Sequence, residues 1–291
     1  MGVLSTKASE LKAAIEGGLK QLATAIDEQT ASAEFKRFLD LQARFHRYSW
    51  GNCLLIAMRK PDATMVAGFG QWKRLGRSIK AGEKAIRILA PCPVRRENQK
   101  TGDQEDHVFF KSACVFDISQ TQGGELPQFE VPEIQGQADA LLQKLEAVAA
   151  KRGIQVAYRP LAEGHYGNSQ GGRIEVSSGY GTAQQAKTLA HELVHEVLHR
   201  GPEGSADPGV VREVRELEAE AGAYVICRHF GLDVELRASR YIAIWNGDTK
   251  MLSAGLSRIS ASARKLIEEA ENLQGSPAVR ASEPSCMSAA A

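Results

Sequence analysis

His191, Glu192 and His195 fill an H-E-x-x-H pattern inside Thr188-Leu189-Ala190-His191-Glu192-Leu193-Val194-His195-Glu196-Val197-Leu198-His199. On a helix the i, i+4 spacing sets the two imidazoles one turn apart on one face, where both can converge on one ion. Glu192 lies beside them, placed to take a proton from a water that such an ion activates. The chemistry these residues suggest is metal-assisted hydrolysis. Zn2+ is the expected cofactor, with Mn2+ and other divalent ions left open. The bland alternative is a helix that carries solvated histidines.

Catalytic zinc usually takes three protein ligands and keeps one position open, so a third ligand should follow. Candidates lie in Val214-Arg215-Glu216-Leu217-Glu218-Ala219-Glu220-Ala221-Gly222-Ala223-Tyr224-Val225. Val214, Leu217, Ala221, Tyr224 and Val225 mark a core face, Glu218 falls at its edge, and Glu216 and Glu220 project to the opposite side. A carboxylate bordering a buried face needs a partner, and a metal would serve. Glu218 is therefore the expected third ligand, with Glu220, Glu216 or no third ligand as alternatives.

The elements that must position these groups are legible in the apolar spacing. Ala186, Leu189, Ala190, Leu193, Val194, Val197 and Leu198 recur at helical spacing and predict a helix from Thr182 to His199, with both histidines at the border of its buried stripe. A strand over Arg173–Val176 precedes it, where an extended peptide could add to an edge. His165, Tyr166 and Tyr180 are candidate oxyanion donors. Further helices are expected over Ala138–Arg152, Ser239–Trp245 and Leu252–Leu273, and the stretch from Gly275 is small and Pro/Ser/Ala-rich, the composition of a disordered tail.

The front of the chain has a different character. Between Lys36 and Arg96 there are 14 Lys and Arg against 3 Asp and Glu, whereas from Val131 onward there are 17 against 20. A net charge of +1 hides this asymmetry, which suggests a polyanion-binding module joined to a catalytic one. Tyr48, Trp50, Phe69 and Trp72 are interleaved with Arg47, Arg59, Lys73, Arg74, Arg77, Lys80 and Lys84, offering stacking faces beside phosphate-neutralising cations. About half of these aromatics should be core instead, Trp50 and Phe69 especially. Helices are expected from Thr6 to Arg47 and again after Ser49, followed by short glycine-punctuated elements, a strand from Ala85 closed by Pro91, and a hairpin turn at Lys100-Thr101-Gly102-Asp103 leading into Val108–Phe116. The expected fold is α+β: a small front domain with a curved antiparallel sheet over 1–125, a mainly helical zincin-like domain with a short sheet over 133–273, and a tail over 274–291. Five cysteines with no C-x-x-C pair, no apolar run of membrane-spanning length and no signal-type N-terminus point to a cytoplasmic protein with no membrane partner.

Tyr48-Ser49-Trp50-Gly51-Asn52, Pro61-Asp62-Ala63-Thr64, Gly68-Phe69 with Trp72, Gly76-Arg77, Lys80-Ala81-Gly82-Glu83-Lys84, Pro91 and Val115-Phe116-Asp117-Ile118-Ser119-Gln120-Thr121 together resemble the N-terminal domain of plasmid antirestriction proteins of the ArdC type. Ala85 stands where that family commonly has glycine. The resemblance implies single-stranded DNA as a partner, with Asn52 joining Arg47, Tyr48, Trp50, Arg59, Trp72, Lys73, Arg74, Arg77, Lys80 and Lys84 as DNA-binding candidates. The back half resembles the minimal zinc-peptidase-like domains paired with it, which share H-E-x-x-H followed by E-x-x-A, here Glu218-Ala219-Glu220-Ala221. That resemblance implies His191, His195 and Glu218 as metal ligands, Glu192 as general base, a peptide or protein substrate, and protection of incoming plasmid DNA as the setting. Two other readings remain open: a DNA-binding protein whose metal site is structural or inactive, and a zinc-dependent regulator whose basic half binds another acidic surface.

Overall fold

Phe35, Phe38 and Leu39 are buried on one side of helix α2 (Glu28–Arg44), and this apolar face organises the front of the chain. The computed structural model describes residues 6–23, 28–97, 104–124, 134–200, 211–236 and 248–273. Helices α1 (Thr6–Ala23) and α3 (Trp50–Arg59) pack with α2. The expected start after Ser49 is borne out: its hydroxyl accepts from the Asn52 N–H at 3.4 Å, an N-cap that satisfies one of the helix's open donors.

Beyond α3 come β1 (Val66–Gly68), α4 (Phe69–Arg74), β2 (Arg77–Ile79), β3 (Ile86–Glu97), β4 (Gln104–Asp117), a single 3-10 turn (Ile118–Gln120) and β5 (Thr121–Gly123). All pairings here are antiparallel, but the single curved sheet expected from sequence is two sheets: β1-β4-β3, and a separate β2-β5 pair. Gly76, at φ +70°, turns the chain out of α4 so that β2 meets the segment beyond the 3-10 turn instead of β1. β3 also runs on through Pro91 and Pro93, which pair with Phe110 and Val108. It lies at the edge of its sheet, where a residue with no N–H can be accommodated. The turn expected at Lys100–Asp103 lies outside the described residues.

The buried carboxylate of Asp117 closes this unit. It accepts from the backbone N–H groups of Thr64 (2.8 Å), Met65 (3.1 Å) and Ser119 (3.0 Å), while Gln120 Oε1 accepts from the Asp117 N–H. Burial alone would raise its pKa, yet these donors hold it below the usual carboxylate range.

The back half contains α5 (Ile134–Lys151), β6 (Gln155–Arg159), β7 (Gly167–Ser169), β8 (Arg173–Ser177), α6 (Thr182–His199), α7 (Arg212–His229) and α8 (Thr249–Asn272). The strand expected to offer an edge to substrate, β8, is the central one: β6 pairs with it in parallel and β7 antiparallel, leaving β7 as the edge on that side. α6 packs against α5, α7, β7 and β8, and α8 packs against α7 and α5. Mixed helix with small sheets is the α+β class expected. The boundary expected near 125–132, the helix over Ser239–Trp245 and the tail lie outside the described residues. Within them, α2 packs on α7 and α1 on α8, so buried side chains from both halves form one continuous cluster. No helix among the described residues is long and apolar enough to cross a membrane.

Candidate metal centre

Lys187, His191, His195 and His199 follow one another at i+4 along α6, and α7 lies across them. His191 Nε2 is 3.1 Å from His195 Nε2. Glu216 Oε2, from α7, is 3.5 Å from the first and 3.7 Å from the second. A triangle with these edges admits a point about 2.0–2.1 Å from all three corners, which is the Zn–N and Zn–O bond length. The arrangement can hold a divalent cation, and two imidazoles with one carboxylate are the donor types zinc takes.

Glu218, the expected third ligand, does not join them. It is fully buried, and Arg258 of α8 donates to its Oε1 from Nε (2.8 Å) and from a terminal nitrogen (2.5 Å). The physical reason is that α7 is buried nearly all round from Leu217 to Cys227, so its apolar stripe does not identify the side that meets α6. Glu216, assigned to the far side, is the carboxylate that reaches the histidines. The motif did not choose between them: Glu216-Leu217-Glu218-Ala219 is also an E-x-x-A, two residues earlier, with Glu220 one turn beyond Glu216. Glu220 Oε2 stands 3.6 Å from His191 Nδ1, and Lys187 Nζ donates to Glu220 Oε1 at 2.8 Å. This chain of charges orients the ring from behind, the role a carboxylate plays beside a metal-binding imidazole.

Carboxylates and burial together set the electrostatics of this group. Burial opposes protonation of His191, but the flanking Glu216 and Glu220 carboxylates raise its pKa to about 9. The two histidines in turn hold Glu216 far below the usual range. Glu192 is buried at 7% exposure, and desolvation raises its pKa. Two adjoining hollows flank this group, both lined by His165, Gly167, His191, Glu192 and Glu216. Edge strand β7 forms one wall. A side chain at Gly167 would place its Cβ 3.3 Å from Glu192 Oε1, so the backbone passes directly over the general-base candidate. Of the oxyanion candidates, His165 lines both hollows and Tyr166 lines one of them, its ring packed on that of Tyr180 at 4.7 Å.

The DNA-binding candidates separate into two groups. Trp72 is fully buried with Nε1 donating to the Phe116 carbonyl (2.9 Å), and Asn52 is buried with its amide bonded to both the N–H and the carbonyl of Leu89. Neither presents a face to a ligand: their polar atoms replace backbone pairs inside the fold. Tyr48 donates to the Val66 carbonyl and half-buried Trp50 to Ser257 of α8, so both are tied into packing. Arg77 is spent on Thr121 and the carbonyl of Gly123, and Lys80 on the Ser119 carbonyl. Arg47 is exposed and pairs with Glu271 at 3.3 Å. Arg59, Lys73, Arg74 and Lys84 are exposed. Phe69, expected in the core, is 62% exposed on α4 beside Lys73 and Arg74.

Residues 4–116 match the family model for the N-terminal domain of anti-restriction factor ArdC. The front of the chain is an ArdC-type N-terminal domain. Over the larger part of the chain the likeness is one of fold: the metal-free crystal structure of the antirestriction ArdC protein from plasmid R388 superposes at a TM-score of 0.50 and 23% identity, covering 78% of this chain and 87% of that one. The Mn(II)-bound structure of the same ArdC protein gives 0.49 and 19%, over 83% of this chain and 99% of that one. A Bacillus anthracis protein, pXO2-81, is 26% identical over 276 residues, 78% of this chain. The chain spans 46% of that relative's length.

Proposed function

We propose that this protein is a metal-dependent peptidase joined to a single-stranded-DNA-binding module, acting in protection of incoming plasmid DNA. The observation that carries the enzymatic part is the triangle of His191 Nε2, His195 Nε2 and Glu216 Oε2, with edges of 3.1, 3.5 and 3.7 Å, beside buried Glu192. When bound there, Zn2+ would polarise a scissile carbonyl and acidify a water. The chain's own residues supply the rest. Glu192, its pKa raised by desolvation, is suited to accept a proton from the attacking water and return it to the leaving amine. β7, an edge strand along the hollow, could pair with an extended peptide on its outer side. The ArdC-type front domain and its exposed cations support the DNA-binding part, and the antirestriction setting follows from the relatives' names.

The test compares metal content and cleavage of a quenched fluorescent peptide library in wild type and Glu192→Gln. The reading requires that the variant keep its ion and lose about 10²–10⁴-fold in rate. Cleavage that is unchanged in Glu192→Gln, or missing from wild type loaded with Zn2+, sinks the peptidase and leaves a structural metal site.

A further inference from the structure

Some 13 residues further along α7 than Glu216, roughly 20 Å at the rise of a helix, lies a second group of donor side chains that the proposed chemistry does not use. His46 comes from the turn after α2, His229 is the last residue of α7, and Glu271 is in the last turn of α8. One donor atom from each lies within 4.8 Å of the other two. The front half thus contributes one ligand-type group and the back half two, across the surface where the halves meet.

His46 is the unusual member. It is only 7% exposed, and neither ring nitrogen has a hydrogen-bond partner among the described residues. A neutral imidazole so placed leaves both a donor and an acceptor unsatisfied, which ordinarily weighs against burial. Its position is nonetheless enforced, because Arg264 of α8 donates from Nε to the His46 carbonyl (2.9 Å) and from a terminal nitrogen to the Arg47 carbonyl.

His229 is set up to complement it. Nδ1 faces the Ala43 carbonyl at 3.0 Å, and a carbonyl can only accept, so that nitrogen carries the proton. Nε2 then points at Glu271 Oε1, 3.0 Å away, with the His46 ring packed edge-on at a centroid distance of 4.4 Å. An N···O separation of this size is that of two adjacent ligands on one ion with bonds of about 2.0–2.2 Å. Backbone-fixed Nδ1–H with Nε2 aimed at the centre is the usual presentation of a metal-binding histidine.

We infer that His46, His229 and Glu271 form a second divalent-cation site, of two nitrogens and one oxygen, that clasps the front module to the back half. Imidazole and carboxylate together favour Zn2+ and its first-row neighbours over Mg2+ or Ca2+. The site is independent of the α6 histidines, so either can fail without the other.

Stoichiometry of Zn2+ on the full-length chain, after dialysis against chelator and then metal-free buffer, decides it, with Co2+ absorption as a second readout of coordination. The expected result is two equivalents in wild type, one in His46→Ala, one in the His191→Ala/His195→Ala double variant, and none when all three are changed. Zn2+ should raise the thermal midpoint of the double variant and not that of the triple one. The inference is overturned if the folded double variant binds no ion, or if its remaining equivalent survives both His46→Ala and Glu271→Gln. Should the double variant fail to fold, His46→Ala against wild type settles the matter: a fall of one equivalent supports the site and an unchanged count removes it. A wild type that binds one equivalent, lost with His46→Ala and kept with His191→Ala, would support this site and reject the α6 one.

Discussion

Glu216 and Glu218 are two residues apart on α7 and answer to different neighbours, the first to the α6 histidines and the second to Arg258. Replacing each should therefore have opposite signatures. Glu216→Ala is expected to lose bound Zn2+ while leaving the thermal midpoint of the metal-free chain nearly unchanged. Glu218→Ala should keep the ion and cost about 1–3 kcal/mol, because it strips a charged hydrogen-bond partner from Arg258. Arg258→Ala should be the worse of the pair, at about 3–5 kcal/mol, since it strands a fully buried carboxylate, whereas Arg258 is 35% exposed and can turn to water. Metal analysis alongside denaturant melts separates the three. Retention of zinc by Glu216→Ala with loss in Glu218→Ala would restore the ligand set expected from sequence.

At the scale of elements, the junction of β7 with α6 sets the geometry of the cleft. Glu196 of α6 accepts from Ser169 Oγ (2.5 Å) and from the N–H groups of Gly171 and Gly172 (2.9 Å each), so one carboxylate holds the β7–β8 turn to the metal helix. Gly167 permits the close approach, since a Cβ there would lie 2.5 Å from Thr188 Cγ2 and 3.0 Å from the Glu175 carbonyl. Gly167→Ala is expected to cost about 1–3 kcal/mol through overpacking and to lower peptide cleavage beyond what the lost stability explains, because the added methyl also presses on Glu192. Thermal melts and kcat/KM on the folded fraction check this; full activity in Gly167→Ala would mean that β7 does not border the reaction. Helix α4 makes the corresponding case for DNA. Phe69→Ala should weaken single-stranded DNA binding by about 1–3 kcal/mol, and Lys73→Ala with Arg74→Ala should flatten the dependence of log K on log salt. Titrations at several salt concentrations measure both, and an unaltered affinity in all three variants would move the DNA site off α4.

At the scale of the whole molecule, the two halves meet along a seam that is both packed and charged. Asp40 of α2 accepts from Tyr224 Oη of α7 (2.6 Å), from Arg228 Nε (3.2 Å) and from Lys36 Nζ (3.1 Å). Burial pushes the Asp40 pKa up, but the Tyr224 hydrogen bond, Lys36 and Arg228 outweigh it and hold the group below its usual value. A depressed carboxylate contributes stability that is present above the unfolded pKa of about 3.9 and is lost as pH falls through the lower folded value. Asp40→Asn should thus cost about 1.5–3 kcal/mol at pH 7 and almost nothing below the folded pKa. Urea melts across that range test the sign: a deficit that grows toward acid would contradict the assignment. His229, whose Nδ1 donates to the Ala43 carbonyl, and Trp50, whose Nε1 donates to Ser257, cross the same seam.

The amino-acid pattern by itself determined the α6 histidines, the general-base candidate and most helices, because each depends on local spacing, and the resemblance of its motifs gave the ArdC-type front domain. His191 and His195 meet on any helix, whatever surrounds it. Tertiary structure alone decided which α7 carboxylate faces them, since Glu216 and Glu218 both satisfy the local motif and only the placement of α6 and α8 tells them apart. It likewise decided that Trp72 is core and Phe69 exposed, because aromatic composition does not say which ring the sheet covers. The meeting of His46 with His229 and Glu271 is long-range in the same way: it joins residues far apart in the chain, which only packing brings within reach.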